Sequence, residues 1–146
     1  MIIKQDVMKK IFGLLVSLVC ISVSYNVSAQ ADTLVSVCTK HMTPPYISDG
    51  QQYQTILSGE EVAEFHVSFL GGSTYRMVGC SGLTDGNLVF NVYDNEKNLI
   101  FTNSDFENAP YWDFKFNYSM DCVIEAKLDS KNTESGFAIM LIGFKQ

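Results

Sequence analysis

Apolar and polar residues alternate with a period of two along most of the chain beyond residue 60. Ala63, Phe65, Val67 and Phe69 fall on one side of a run, and Glu64, His66 and Ser68 on the other. This is the spacing of a strand buried on one face. The same period recurs at Leu88, Phe90 and Val92, at Trp112, Phe114 and Phe116, and at Cys122, Ile124, Ala126 and Leu128. Turn formers separate the runs: Ser58-Gly59-Glu60, Gly71-Gly72-Ser73, the stretch from Asp94 to Asn98, and the stretch from Asp129 to Ser135. Phe137 to Ile142 is apolar throughout, as expected of a strand covered on both faces or central to a sheet. Strands over Gln51 to Leu57 and Tyr75 to Cys80 complete a series of about seven to nine at even spacing. Ala31 to His41 fits either a short helix or a first strand, and Thr43-Pro44-Pro45 stops any helix there. The fold class that follows is all-β, an antiparallel two-sheet β-sandwich of jelly-roll type, with an N-terminal signal helix.

That signal helix comes from a different pattern. Lys4, Lys9 and Lys10 precede an apolar run from Ile11 to Val23, and Val27-Ser28-Ala29 offers small residues after it. A positive end, an apolar middle and a small-residue exit describe a secretory signal peptide, expected over residues 1–29 with cleavage after Ala29. Residues 30–146 then form a single β-sandwich domain that is secreted or periplasmic.

Charge narrows the partners. Without the first 29 residues the chain carries 7 basic and 15 acidic side chains, a formal charge of −8, and Arg76 is its one arginine. Such a balance opposes nucleic acid and anionic lipid, whose phosphates need Lys and Arg. It suits a basic partner, and calcium is a further candidate because Asp85, Asp94, Glu96, Asp105, Glu107, Asp113 and Asp121 lie in or beside loops. No D-x-D or EF-hand spacing organises these residues, and no other cofactor is expected.

Three cysteines remain beyond the signal segment: Cys38, Cys80 and Cys122. Export exposes them to oxidation, so one disulfide and one thiol are expected. Three pairings are open. Cys80–Cys122 is the preferred one, since one ends a strand and the other begins one.

No catalytic set stands out. Gly79-Cys80-Ser81-Gly82 lacks the spacing of a nucleophile elbow, and the two histidines, His41 and His66, have no informative Asp near them in sequence. Zinc spacings are absent. Tyr111, beside Pro110, is the candidate ligand contact, because an exposed aromatic at a turn offers rigid contact area. Trp112 alternates with Phe114 and Phe116 and is expected in the core.

The stretch from Val62 to Phe144, with Thr74-Tyr75-Arg76, a glycine loop, Leu88 to Asp94 and Asn98 to Phe101, resembles the bacterial pre-peptidase C-terminal domain family of small secreted β-sandwiches. Met120-Asp121-Cys122 stands where that family has a Gly-x-Tyr pair. The segments Ser48 to Tyr53, Tyr111 to Phe114 and Ile142 to Lys145 are also similar to an uncharacterised family of secreted bacterial proteins. The resemblance implies a sandwich and no transferable activity. The expected function is therefore a non-catalytic, secreted domain that binds protein or an extracellular polymer. The competing reading is a small glycoside-type hydrolase pairing Asp94 with Asp113 or Glu125.

Overall fold

The computed structural model describes residues 7–12, which are helical, and residues 26–145. Most of the apolar run assigned to a signal peptide lies outside the described residues. The chain divides into two units, Met1–Asp32 and Thr33–Gln146, and the second holds every described strand.

Helix α1 (Asn26–Thr39) decides the open alternative for Ala31 to His41 in favour of helix. Leu34, Val35 and Cys38 fall along one stripe and face the sheet beside them, and Met42 joins them just past the end of the helix. The helix ends where the Thr39 hydroxyl donates to the Val35 carbonyl at 2.6 Å and the His41 N–H turns back to Cys38 O at 3.1 Å.

Eight strands follow: β1 (Tyr46–Ser58), β2 (Val62–Phe69), β3 (Thr74–Cys80), β4 (Leu88–Asp94), β5 (Leu99–Thr102), β6 (Tyr111–Lys115), β7 (Met120–Leu128) and β8 (Ser135–Lys145). They form two four-stranded antiparallel sheets, ordered β1-β8-β3-β6 and β2-β7-β4-β5. The first strand therefore pairs with the last, β2 with β7, β3 with β6 and β4 with β5, which is the winding of a jelly roll. Between the sheets lie Phe69, Met77, Leu88, Phe90, Val92, Ile124, Met140 and Ile142, all buried. They are the inward members of the alternation in the sequence.

The apolar run in β8 needs cover on both faces, and it has it. Ala138, Met140 and Ile142 point between the sheets, whereas Ile139 and Leu141 point outward with Val78 and Cys80. Helix α1 and Met42 cover that outer patch. Gly143 lies beneath Met42, and a Cβ there would come within 2.7 Å of the Ile47 carbonyl, so the strand narrows to glycine at this crossing.

The same geometry corrects the expected disulfide. Cys80 is bonded to Cys38, with Cα atoms 5.8 Å apart, and Cys122 is a buried free thiol. Tyr75, Met77 and Gly79 of β3 face the inter-sheet core, so Val78 and Cys80 face out toward α1. Cys122 belongs to the inter-sheet core, on the opposite side of β3. Strand parity forbids the pair that sequence order suggested.

Candidate functional site

Three loops meet at one end of the sandwich: residues 81–87 after β3, residues 103–110 after β5 and residues 129–134 after β7. Their own polar side chains tie them together. Asn108, held at φ 54°, donates through Nδ2 to Gly86 O and to Asp129 Oδ2, each at 3.1 Å. Asp129 also accepts from Asn132 Nδ2 at 2.9 Å, and its N–H donates to Asn87 O at 2.9 Å. Asn103 is fully buried and bonds Phe90 N–H, Leu88 O and Ala109 O. Fixing a loop this way removes conformational entropy before any ligand arrives. The tips still show apolar surface: Leu83 is 67% exposed, Phe106 45% and Tyr111 39%.

Tyr111 begins β6 and is partly engaged already. The Arg76 guanidinium lies 4.4 Å from its ring centroid and 4.2 Å from that of Tyr46. Arg76 forks onto Asp113, with Nε to Oδ1 at 2.7 Å and Nη2 to Oδ2 at 2.9 Å, and its Nη1 donates to His41 O and Thr43 Oγ1. Arg76 and Asp113 face each other in the β3–β6 register, so the pair is built on rigid backbone. Every arm of the guanidinium is taken. The cluster is a clamp that pins residues 41–46 on the outer face and presents the free edge of the Tyr111 ring.

The guanidinium holds the Asp113 carboxyl below the usual carboxylate range; burial opposes this, and a hydrogen bond from Tyr46 adds to it. A depressed folded-state pKa stabilises above the unfolded pKa, about 3.9, and that contribution is lost as pH falls through the lower folded value. Asp113→Asn should therefore be less stable than the parent at neutral pH, with the gap closing below about pH 4. Urea titrations at pH 7 and pH 3 measure it. A gap unchanged between them would mean that the clamp carries no charge-dependent stability.

Trp112 faces the inter-sheet side, as its alternation predicts, but it is half-buried. It packs against Phe106 at 4.2 Å and Phe101 at 5.1 Å between ring centroids, and Phe114 crosses Phe101 edge-on at 5.0 Å. Trp112→Ala should cost about 3 kcal/mol in denaturant unfolding, the low end for a large aromatic because the ring is only half-buried. A variant as stable as the parent would show that this cluster is surface decoration.

The carboxylates of the hydrolase reading do not converge. Asp113 lies on the outer face of one sheet, bound to Arg76. Glu125 belongs to β7 in the other sheet, and Asp94 caps its own turn by accepting from Glu96 N–H and Asn98. Of the other acids considered for calcium, Asp85 pairs with His41 at 3.0 Å and Asp121 accepts from Ser68. Among the described residues no three His, Cys, Asp or Glu side chains come together as a metal site would need. The His41–Asp85 contact spans 44 residues, so no local spacing announced it, and among the described residues no serine or cysteine bonds the His41 ring. Sequence reasoning also passed over Asn103 and Asn108, whose roles appear only when three loops meet.

An eight-stranded jelly-roll sandwich with a cross-tied loop end is thus the class that the structure defines. No family profile and no curated protein matches the chain, so the resemblance to the pre-peptidase C-terminal domain is not supported as a family, and what is shown is the β-sandwich fold. Among solved structures the chain is similar to Aeromonas hydrophila PliG, a periplasmic lysozyme inhibitor of g-type lysozyme. The identity is 14%, with a TM-score of 0.51 over 68% of this chain and 91% of that one. A de novo designed double-stranded β-helix matches at 11% identity and a TM-score of 0.36, over 65% of this chain and 99% of that one. The first likeness shows a shared sandwich fold.

Proposed function

We propose that the chain is an exported, non-catalytic domain that binds another protein through its loop end, with Tyr111 among the contacts. The observation that carries this reading is the pairing of rigidity with exposed apolar tips: loops tied by Asn103, Asn108 and Asp129 display Leu83, Phe106 and Tyr111. Large side chains on pre-ordered backbone are what a protein interface uses as anchors. The Cys38–Cys80 bridge suits an oxidising compartment, and removal of residues 1–29 as a signal segment would deliver the domain there. A charge of −8 on the remaining chain favours a basic partner. The sandwich shared with a periplasmic inhibitor of g-type lysozyme makes a lysozyme the first partner to try.

The test uses exported protein whose start at Gln30 has been checked by mass spectrometry. Titrated into a g-type lysozyme, it should bind and slow cell-wall lysis. Leu83→Asp should weaken binding at least about tenfold without lowering the melting temperature, whereas Phe106→Asp should also lower it because it removes the ring packed on Trp112. Binding to purified cell-wall polysaccharide with none to the lysozyme would overturn the protein-binding reading in favour of a polymer ligand.

A further inference from the structure

Among the described residues, strand β6 is an edge strand with no neighbour on its second side. Among the described strands it bonds β3 alone, in the register that sets Val78 opposite Tyr111 and Thr74 opposite Lys115. The Gly79 N–H donates to Pro110 O at 2.8 Å, and the Phe116 N–H donates to Ser73 O at 3.1 Å. Antiparallel bonding alternates residue by residue, so Trp112 and Phe114 turn their backbone groups to β3. The N–H and C=O of Tyr111, Asp113 and Lys115 face away from the sheet.

Beside that free edge runs a seam between the two sheets, because β5 is also an edge strand and only four residues long. Phe101, Trp112 and Phe114 line the seam and are half-buried, while Ile100 is 43% exposed and Tyr118 70%. Two cavities mark the ends of β6. One, of 440 Å³, has residues 109–113 among its lining. The other, of 310 Å³, is lined by Ile100, Phe114, Phe116, Tyr118 and Met120 together with Asp94 and Lys115. From Tyr111 to Lys115 a strand advances about 13 Å, the distance between side chains four residues apart on a neighbouring strand.

From this we infer that the partner adds an extended segment to β6 as a ninth strand, antiparallel to it, with alternate apolar side chains entering the seam and its cavities. The inference rests on the protein-binding reading above and names how the partner docks. Main-chain bonds to Tyr111, Asp113 and Lys115 supply the pairing, and the aromatic seam selects the alternation. The complementary side chains of the segment lie on the outer face beside Tyr111 and the Arg76–Asp113 pair, where polar residues fit. Antiparallel addition brings the segment's C-terminal end toward exposed Asp105 and Glu107, so basic residues belong there. A second copy of this chain is the poorer occupant. Self-pairing of β6 about its centre sets Asp113 directly opposite Asp113, and like charges across a strand pair repel.

The probe is a synthetic nine-residue peptide with Val and Ile alternating with Thr and ending in two Lys, compared with the same residues rearranged so that the apolar ones form one block. NMR titration of the Gln30–Gln146 protein should show the alternating peptide shifting the amides of Tyr111, Asp113 and Lys115 and slowing their hydrogen exchange. The block peptide should leave those amides unmoved. Lys115→Pro removes one outward N–H at a site where an edge strand tolerates proline, and should weaken peptide binding about tenfold. Lys115→Ala should stay within about twofold of the parent, which separates backbone from side chain. A Lys115→Pro protein that folds and binds like the parent overturns strand addition, as does a peptide that moves amides elsewhere or none at all. A concentration-dependent dimer protecting the same three amides overturns it in favour of self-pairing. Lysozyme binding by the same preparations decides the protein-binding reading separately.

Discussion

Replacing Asn103 by leucine is expected to destabilise the domain by about 3–5 kcal/mol, because three backbone groups lose their partners inside the protein. The reason lies in how β5 ends. Asn91 pairs with Thr102, and one further step would set Phe90 against a continuing strand. The chain instead turns into a 3-10 helix at Asn103–Phe106. The Asn103 amide takes over the missing ladder, with Oδ1 accepting from the Phe90 N–H at 2.8 Å and Nδ2 donating to Leu88 O at 2.9 Å and Ala109 O at 3.1 Å. Leucine matches the size and none of the bonds. An unpaired buried donor or acceptor costs about 1–3 kcal/mol, and water could reach these groups only by opening the loop. Urea unfolding of parent and variant measures the loss. A change below about 1 kcal/mol would mean that the 103–110 loop is not held by this side chain.

The second large effect is expected from removing the bridge. Cys38 and Cys80 are 42 residues apart, and closing a loop of that length restricts the unfolded chain by about 4 kcal/mol in the chain-entropy account. Cys38→Ser with Cys80→Ser should lose about 3–4 kcal/mol. The released helix would also uncover the outer apolar patch of Val78, Ile139 and Leu141. Cys122 should not substitute as a partner. It is buried between the sheets, and burial pushes its thiol up to about 11, so little reactive thiolate is present. Peptide mapping should find Cys38 joined to Cys80, with Cys122 alkylated only after denaturation. A double serine variant as stable as the parent, or a Cys122 that alkylates in the native protein, would contradict this account.

The sandwich itself was legible in the sequence. Runs such as Ala63 to Phe69 and Cys122 to Leu128 fix which side chains go inward, because a strand has a period of two and one face must be buried. Those runs, with the turn residues between them, determined the all-β class, the inward direction of Trp112, Phe114 and Phe116, and a two-faced apolar strand at Phe137 to Ile142. What they could not carry was the side of the sheet on which a lone outer residue finds its neighbour. Cys38 lies on a stretch that reads equally as helix or strand, so its meeting with Cys80 across the outer face had no local signal. The loop end is of the same kind. Asn103, Asn108, Asp129 and the pair of His41 with Asp85 are ordinary turn residues by composition, and the bonds that join Asn108 to Asp129 and His41 to Asp85 span 21 and 44 residues. Periodicity reports one strand against solvent, whereas these contacts exist only because the jelly-roll winding brings distant loops to one end; that meeting was decided by tertiary structure alone.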